Sequence, residues 1–68
     1  MDAVGMGVLI RQLREAAGVT QAQLGEQLGL RKDQVSKVEH GVRRLDIAEM
    51  AAAAEALGTT SRRLMGRP

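Results

Sequence analysis

Charged and polar side chains cluster on one face of a predicted helix near the middle of the chain. In segment 32–40 the apolar residues are Val35 and Val38, which lie three apart and so fall on the same side of a helix. Five of the other positions carry ammonium, carboxylate, amide or hydroxyl groups, namely Lys32, Asp33, Gln34, Ser36 and Lys37. The segment therefore predicts a helix that buries its valines and presents hydrogen-bonding groups outward.

The positive charge of the protein is concentrated around this helix. The chain has ten Lys and Arg residues against eight Asp and Glu residues, a net charge of +2. Segment 31–44 contains five basic and two acidic residues, so its balance is +3 and the rest of the chain has a balance of −1. A polyanion is a natural partner for such a patch. An ordinary solvated helix face has the same composition, so charge alone leaves both interpretations open.

A second short helix and a tight turn precede this helix. Segment 21–40 is predicted to bend at Gly29, where a residue without a Cβ costs least. Gly25 lies one turn earlier, and its small size favours a close approach of two crossing helices. Thr20 followed by Gln23 has the spacing of a capping box, which predicts where the first of the two helices begins. The pattern is typical of a helix-turn-helix.

Three further helices are predicted to hold this pair. Apolar spacing indicates a first helix, and Asp46 with Glu49 repeats the capping-box signal before a fourth. No segment shows the alternation of a strand, so the fold class is all-α. The predicted helices are about 7–17, 21–28, 32–40, 47–57 and 61–65, with 1–5 as a loose arm and 6–66 as a single domain.

The fourth helix is rich in alanine, and its buried face has to be chosen from its spacing. The spacing predicts a buried face made of Ile47, Met50, Ala51, Ala54 and Leu57. Leu45, Leu64 and Met65 are then the candidates for an exposed apolar contact between two copies of the chain.

Composition excludes several classes of protein. The 68 residues make one small domain with no aromatic residue and no cysteine, so a disulfide or thiolate metal site is excluded. His40 is the only histidine and has no second ligand at metal spacing. No nucleophile set and no phosphate-cradling glycine loop is present. We therefore expect no enzyme activity, no metal and no cofactor.

These segments resemble the phage repressor and Cro-type helix-turn-helix proteins, often called the XRE family. The resemblance covers about residues 6–65 and implies a compact five-helix, lambda-repressor-like bundle. In such proteins the third helix lies in the DNA major groove and the second crosses the backbone above it. The residues that carry the resemblance are Arg14, Thr20–Gln21, Leu24, Gly29, Val35, Val38–Glu39, Gly41 and Ala56–Leu57–Gly58.

The resemblance also implies roles for individual residues. The third-helix positions that read base edges are occupied by Lys32, Asp33, Ser36 and Lys37. The positions that touch the DNA backbone are occupied by Gln21, His40, Arg43 and Arg44, to which we add Arg31 as a candidate phosphate contact. Arg14 and Glu39 match a pair that in this family forms a partly buried ion pair between the first and third helices.

Two residues depart from the family pattern. Arg31 stands at the start of the third helix, where such proteins usually have Ser or Thr, and a guanidinium offers no acceptor to the free N–H groups. Asp33 puts a negative charge near the groove, which costs binding energy unless it meets a cytosine or pairs with Lys37. The readout at Asp33 stays open.

The sequence thus predicts a sequence-specific, double-stranded DNA-binding transcriptional regulator, a repressor acting in the cytoplasm at the nucleoid. A homodimer on an inverted-repeat operator is the expected complex. Two alternatives stay open. The same fold serves an antitoxin or protein-binding adaptor, and it also serves as the DNA-binding head of a longer protein.

Overall fold

The computed structural model describes residues 2–64, which form five helices and no strand. This agrees with the predicted all-α arrangement, and the last four helices start where predicted. Met65 and Gly66, where the last helix and the domain were predicted to end, lie outside the described residues. No helix within residues 2–64 is long and apolar enough to cross a membrane. The helices are α1 (Ala3–Ala16), α2 (Gln21–Leu28), α3 (Lys32–Glu39), α4 (Ile47–Ala56) and α5 (Ser61–Leu64).

The first helix begins earlier than the sequence predicted. Asp2 is its N-cap, with Oδ1 accepting the backbone N–H of Gly5 at 2.6 Å. Residues 3–5 are thus the first turn of α1, and the prediction of a loose arm is wrong for them. Glycine lowers helix propensity by about 1 kcal/mol relative to alanine. Because Gly5 and Gly7 lie in the first two turns of α1, the sequence did not indicate a helix there, and Asp2 was not recognised as its N-cap.

Gly7 allows α1 to cross the end of α3 in backbone contact. A Cβ on Gly7 would lie 2.5 Å from the carbonyl oxygen of Val38 and 2.8 Å from the carbonyl carbon of Glu39. Side chains do not approach backbone atoms this closely, so only glycine fits here. The crossing fixes the direction of α3 relative to α1.

Both predicted capping boxes are present. Thr20 Oγ1 accepts the N–H of Gln23 at 3.0 Å, and Gln23 Oε1 accepts the N–H of Thr20 at 2.9 Å. At α4, Asp46 Oδ1 accepts the N–H of Glu49 at 2.7 Å, and Glu49 Oε1 accepts the N–H of Asp46 at 3.0 Å. Each box satisfies two backbone N–H groups that have no partner within the helix.

The buried core is aliphatic and draws on every helix. Partly buried side chains, including Met6, Leu13 and Met50, pack against it. Because the core has no aromatic ring, its stability comes from many small contacts. The buried apolar residues are Ile10, Leu24, Val35, Val38, Leu45, Ala53, Ala54, Leu57 and Leu64.

The predicted orientation of α4 was wrong in part. Ile47 is 90% exposed and Ala51 is also exposed, whereas Ala53 is fully buried. Leu45 and Leu64, predicted to be exposed, are buried core residues. The error arose because α4 is apolar on nearly all sides, so its spacing alone could not select the buried face.

Candidate nucleic-acid interface

The turn between α2 and α3 sets the position of α3. Gly29 has φ +71°, in the left-handed region, and the N–H of Leu30 donates to the carbonyl of Gly25 at 2.8 Å. A Cβ on Gly25 would lie 3.3 Å from the carbonyl carbon of Leu30, so this glycine admits the returning chain. α3 then packs against both α2 and α1.

α3 has a buried side and an open side. Val35, Val38 and Glu39 are buried. On the open side, Lys32, Asp33 and Lys37 are exposed and Ser36 is half-buried. These four residues, predicted to read bases, sit at helical spacings that place them on one side of α3. The structure therefore brings the four predicted side chains together on an accessible surface.

Arg31 and Asp33 pair with each other at the start of α3. Arg31 Nε lies 3.1 Å from Asp33 Oδ1, and this hydrogen bond lowers the pKa of the Asp33 carboxyl group. The predicted partner, Lys37, forms no ion pair within the described residues. The cap of α3 comes from Gln34, whose Oε1 accepts the N–H of Arg31 at 2.9 Å. Arg31 itself contributes no side-chain cap, because its guanidinium has no acceptor.

The buried carboxylate of Glu39 joins three helices. Arg14 Nε donates to Glu39 Oε2 at 2.6 Å and Nη2 donates to Oε1 at 3.2 Å, which is the pairing predicted from the sequence. The Glu39 side chain is only 2% exposed. Arg14 Nη1 also donates to the carbonyl of Val19 at 2.8 Å. The hydrogen bond to Glu39 raises the pKa of Arg14.

Gln21 uses its side chain inside the protein. Its Nε2 donates to Glu39 Oε1 at 3.0 Å, so the amide predicted to meet a phosphate already has an intramolecular partner. Its backbone N–H belongs to the first turn of α2, where a helix offers no acceptor of its own. Lys32 lies across an open groove from Gln21. The start of α2 and the start of α3 thus share one surface.

His40 and Arg44 lie beyond the end of α3. Both residues are exposed. His40 Nδ1 lies 2.7 Å from the carbonyl oxygen of Ser36, and since a carbonyl only accepts, Nδ1 carries the proton. Arg44 forms no ion pair within residues 2–64. Both side chains are therefore accessible next to the C-terminal end of α3.

Arg43 has an intramolecular partner that the sequence did not indicate. Its guanidinium makes two parallel hydrogen bonds to Glu49, Nη1 to Oε1 and Nη2 to Oε2, both at 3.0 Å. Its side chain is 30% exposed, and Nη1 also donates to the carbonyl of Arg44 at 3.1 Å. The contact of Arg43 with a DNA backbone stays a prediction, and in this structure its guanidinium forms an ion pair between the α3–α4 loop and α4.

Several cations on and near this surface already have an intramolecular carboxylate partner. Arg14, Arg31 and Arg43 are each bonded to a carboxylate, as is Arg11 on α1 by a 3.6 Å contact with Glu15. On α3 and the loop that follows it, the described cations outside such pairs are Lys32, Lys37 and Arg44. This part of the surface is therefore positively charged, with two of these cations on α3 and one on the loop after it.

Comparison with known families agrees with this geometry. A family model for the helix-turn-helix domain matches residues 6–65. The chain belongs to this helix-turn-helix family. The two helices of the motif are α2 and α3, and the match extends over α4 and α5. None of the curated protein sequences matches the chain significantly.

Several solved structures share this helix-turn-helix fold. The restriction-modification controller protein C.AhdI from Aeromonas hydrophila is 34% identical with a TM-score of 0.83, over 91% of this chain and 94% of that chain. The P22 c2 repressor, solved in complex with a synthetic operator, is 27% identical with a TM-score of 0.82, over 87% and 89% of the two chains. Hydroxypropylphosphonic acid epoxidase from S. wedmorenis is 26% identical with a TM-score of 0.84, and the match covers 93% of this chain but 34% of that one.

The sequence did not reveal the contacts of two residues that support this surface, Glu49 on α4 and Gln34 on α3. Glu49 was recognised only as a cap, although it also binds Arg43. Gln34 was placed on the open face, although it caps α3. The signal for Gln34 was present, because glutamine three residues after the N-cap is the second half of a capping box. No local signal indicated that Arg43 pairs with Glu49, since the two residues lie six positions apart, one in the loop and one on α4.

Proposed function

We propose that this protein is a sequence-specific DNA-binding transcriptional regulator, with α3 inserted into the major groove. The observation that carries the proposal is the two-sided character of α3, which buries Val35, Val38 and Glu39 and exposes Lys32 and Lys37. The major groove admits an α-helix, and a lysine ammonium group donates well to guanine O6 and N7. Ser36 and Asp33 complete the proposed base-reading set, with Asp33 able to accept from cytosine N4.

Phosphate contacts would hold α3 in register. The backbone N–H of Gln21 lies at the positive end of α2, a site that favours a phosphate. His40 and Arg44 follow α3 and are exposed, and Arg31 is accessible at its start because its pair with Asp33 is itself exposed, with the two side chains 73% and 57% exposed. Such contacts supply affinity and orientation but carry no sequence information. They predict that binding weakens steeply with added salt.

The regulatory mechanism that fits this interface is occupancy of an operator at the nucleoid. A bound domain excludes or recruits polymerase by covering or adjoining a promoter, and repression is our proposal for this chain. Support comes from the fold shared with a controller protein and with a repressor solved on its operator.

A homodimer on an inverted repeat is part of the same proposal. Two copies would place their α3 helices in successive major grooves about 10 base pairs apart. Of the predicted contact residues, Leu45 and Leu64 are buried, and Met65 lies outside the described residues. Ile47 at the start of α4 is the most exposed large apolar side chain described, at 90%, and we take it as the candidate contact. Replacement of Ile47 by Ser is expected to weaken binding to the inverted repeat more than binding to one half-site.

Selection of bound duplexes from a random library, followed by sequencing, tests the proposal. Enrichment of an inverted repeat with half-sites about 10 base pairs apart supports a dimeric regulator. A single enriched half-site supports base reading by α3 but removes the dimer from the proposal. Absence of enrichment contradicts sequence-specific binding.

One observation favours a second reading, in which the domain is a module of a longer protein. The same fold makes up about a third of the epoxidase chain. An adaptor or antitoxin on the same fold is a separate alternative, in which the chief partner is a protein. It predicts that Lys37→Ala leaves that partner bound, whereas a regulator and a DNA-binding head of a longer protein both predict that Lys37→Ala weakens DNA binding.

A further inference from the structure

Glu49 makes more hydrogen bonds than its position as a helix cap requires. A capping box needs one oxygen of the side chain, and Glu49 Oε1 fills that role by accepting the N–H of Asp46. Arg43 Nη1 donates to that same oxygen, and Nη2 donates to Oε2, both at 3.0 Å. The second oxygen therefore serves Arg43 alone.

The pair is partly shielded from solvent. The Arg43 side chain is 30% exposed and that of Glu49 is 15% exposed. The hydrogen bond from Arg43, followed by the one from Asp46, lowers the pKa of Glu49. The same hydrogen bond raises the pKa of Arg43. A two-point contact of this kind is among the stronger ion pairs, and it fixes the orientation of both groups.

The pair also fixes the loop that follows α3. The N–H groups of Val42 and Arg43 both donate to the carbonyl of Lys37, at 2.9 and 3.2 Å. Arg43 Nη1 donates to the carbonyl of Arg44 at 3.1 Å. The loop is thereby fastened to α3 at one end and to α4 at the other, and Arg44 is left exposed between them.

We propose that Glu49 is a positioning residue of the interface, which withholds Arg43 from phosphates and sets specificity by fixing the loop that presents Arg44. This rests on the proposed function. Each cation that reaches a phosphate adds affinity for any sequence. Withholding Arg43 therefore lowers affinity for the operator and for random duplex alike and leaves their ratio unchanged. The fixed loop raises that ratio, because it holds Arg44 in the one position that the operator-bound α3 requires.

The variant Glu49→Gln isolates the pairing from the cap. Glutamine serves at this position of a capping box as glutamate does, but it carries no charge and cannot accept both guanidinium bonds. Arg43→Gln removes the withheld cation, and Arg44→Gln removes the presented one. The double variant Arg43→Gln/Glu49→Gln removes the pair entirely.

The experiment measures affinity against salt concentration on the selected operator and on random duplex. Circular dichroism establishes that each variant is folded at the temperature used. We expect Arg43→Gln to leave the salt slope unchanged and Arg44→Gln to reduce it by about 0.9, the value for one phosphate contact. We expect Glu49→Gln to steepen the slope on both duplexes by up to about 0.9, through the released Arg43, and to lower the specificity ratio, through the loosened loop. The double variant should return the random-duplex slope to that of the wild type.

Two results would overturn the proposal. A loss of slope in Arg43→Gln equal to that in Arg44→Gln would make Arg43 a direct phosphate contact. An unchanged slope and specificity ratio in Glu49→Gln would remove any role of Glu49 in DNA selection. If the wild type binds no DNA, the proposed function fails and this role fails with it. The pairing itself is then still visible by NMR, as slow rotation of the Arg43 guanidinium that is lost in Glu49→Gln.

Discussion

The carboxylate of Glu39 is buried at the end of α3 and bonded to the guanidinium of Arg14 on α1, with Nε 2.6 Å from Oε2. The side chains of Arg14 and Glu39 are 12% and 2% exposed. Gln21 at the start of α2 donates to the same carboxylate. One buried anion therefore ties the two helices of the motif to the helix that supports them.

Removal of the cation from this pair is expected to destabilise the domain strongly. Arg14→Met leaves the Glu39 carboxylate buried without a charged partner, at a cost of about 3–5 kcal/mol. Urea unfolding followed by far-UV circular dichroism measures this, since the chain has no Trp or Tyr to give a fluorescence signal.

Two controls make this prediction specific to the buried pair. The double variant Arg14→Met/Glu39→Met is expected to be more stable than Arg14→Met, because it leaves no charge unpaired. Arg11→Met breaks a pair whose side chains are 59% and 55% exposed, and should cost less than about 0.5 kcal/mol. Equal losses of unfolding free energy in Arg14→Met and Arg11→Met would show that the buried Arg14–Glu39 pair contributes no more to stability than an exposed pair.

The close crossing of α1 and α3 predicts that Gly7→Ala lowers the stability of the domain, whereas helix propensity alone predicts that it raises it. Alanine favours a helix over glycine by about 1 kcal/mol, so propensity alone makes Gly7→Ala stabilising. The structure predicts the reverse, because the new Cβ would lie 2.5 Å from the Val38 carbonyl oxygen. Val8→Ala, at a neighbouring site that is 47% exposed, is the control and should change stability little. A higher melting temperature for Gly7→Ala than for the wild type would contradict the close crossing.

The Glu49 pair predicts a pH dependence of stability. Its pKa is lowered in the folded state from the ordinary 4.5. Such a group stabilises the fold above its unfolded pKa, and the contribution is lost as pH falls through the lower folded pKa. The stability difference between the wild type and Glu49→Gln should therefore be largest above pH 4.5 and shrink as the pH is lowered below it.

The stability of the wild type and Glu49→Gln must be compared over a range of pH, because other carboxyl groups also titrate as the pH falls. Asp33 also has a lowered pKa, but it is common to both proteins and cancels in their difference. Glu26→Gln is the matched control, since Glu26 is exposed and forms no ion pair within residues 2–64. A difference for Glu49→Gln that stays constant from pH 7 to the acid limit would argue against the ion pair.

The sequence was sufficient for the parts of the fold that depend on neighbouring residues. Thr20 with Gln23 and Asp46 with Glu49 have the spacing of capping boxes, so the starts of α2 and α4 followed directly. Gly29 marked the turn. These signals work because each needs atoms within a few residues of one another.

The parts that depend on distant contacts could not be obtained in this way. The first turn of α1 was missed because the benefit of Gly7 comes from its fit against Val38 and Glu39, far along the chain. The face of α4 was misjudged because Ile47 and Ala53 are both apolar, and only packing against other helices distinguishes them. The pairing of Arg43 with Glu49 was missed because the charge of a residue does not reveal its intramolecular partner.

The central claim is that α3 reads the major groove. It is tested most directly by measuring the affinity of the Lys37→Ala variant for the selected operator and its preference for individual bases there. With α3 in the groove, we expect a loss of about 1–3 kcal/mol in operator affinity and relaxed discrimination at the base pairs that Lys37 contacts. Arg62→Ala is the matched control, since Arg62 is an exposed cation on α5, which packs on α1 and α4. It should leave the preference for individual bases unchanged. Full affinity and unchanged base preference in Lys37→Ala would contradict the placement of α3 in the groove.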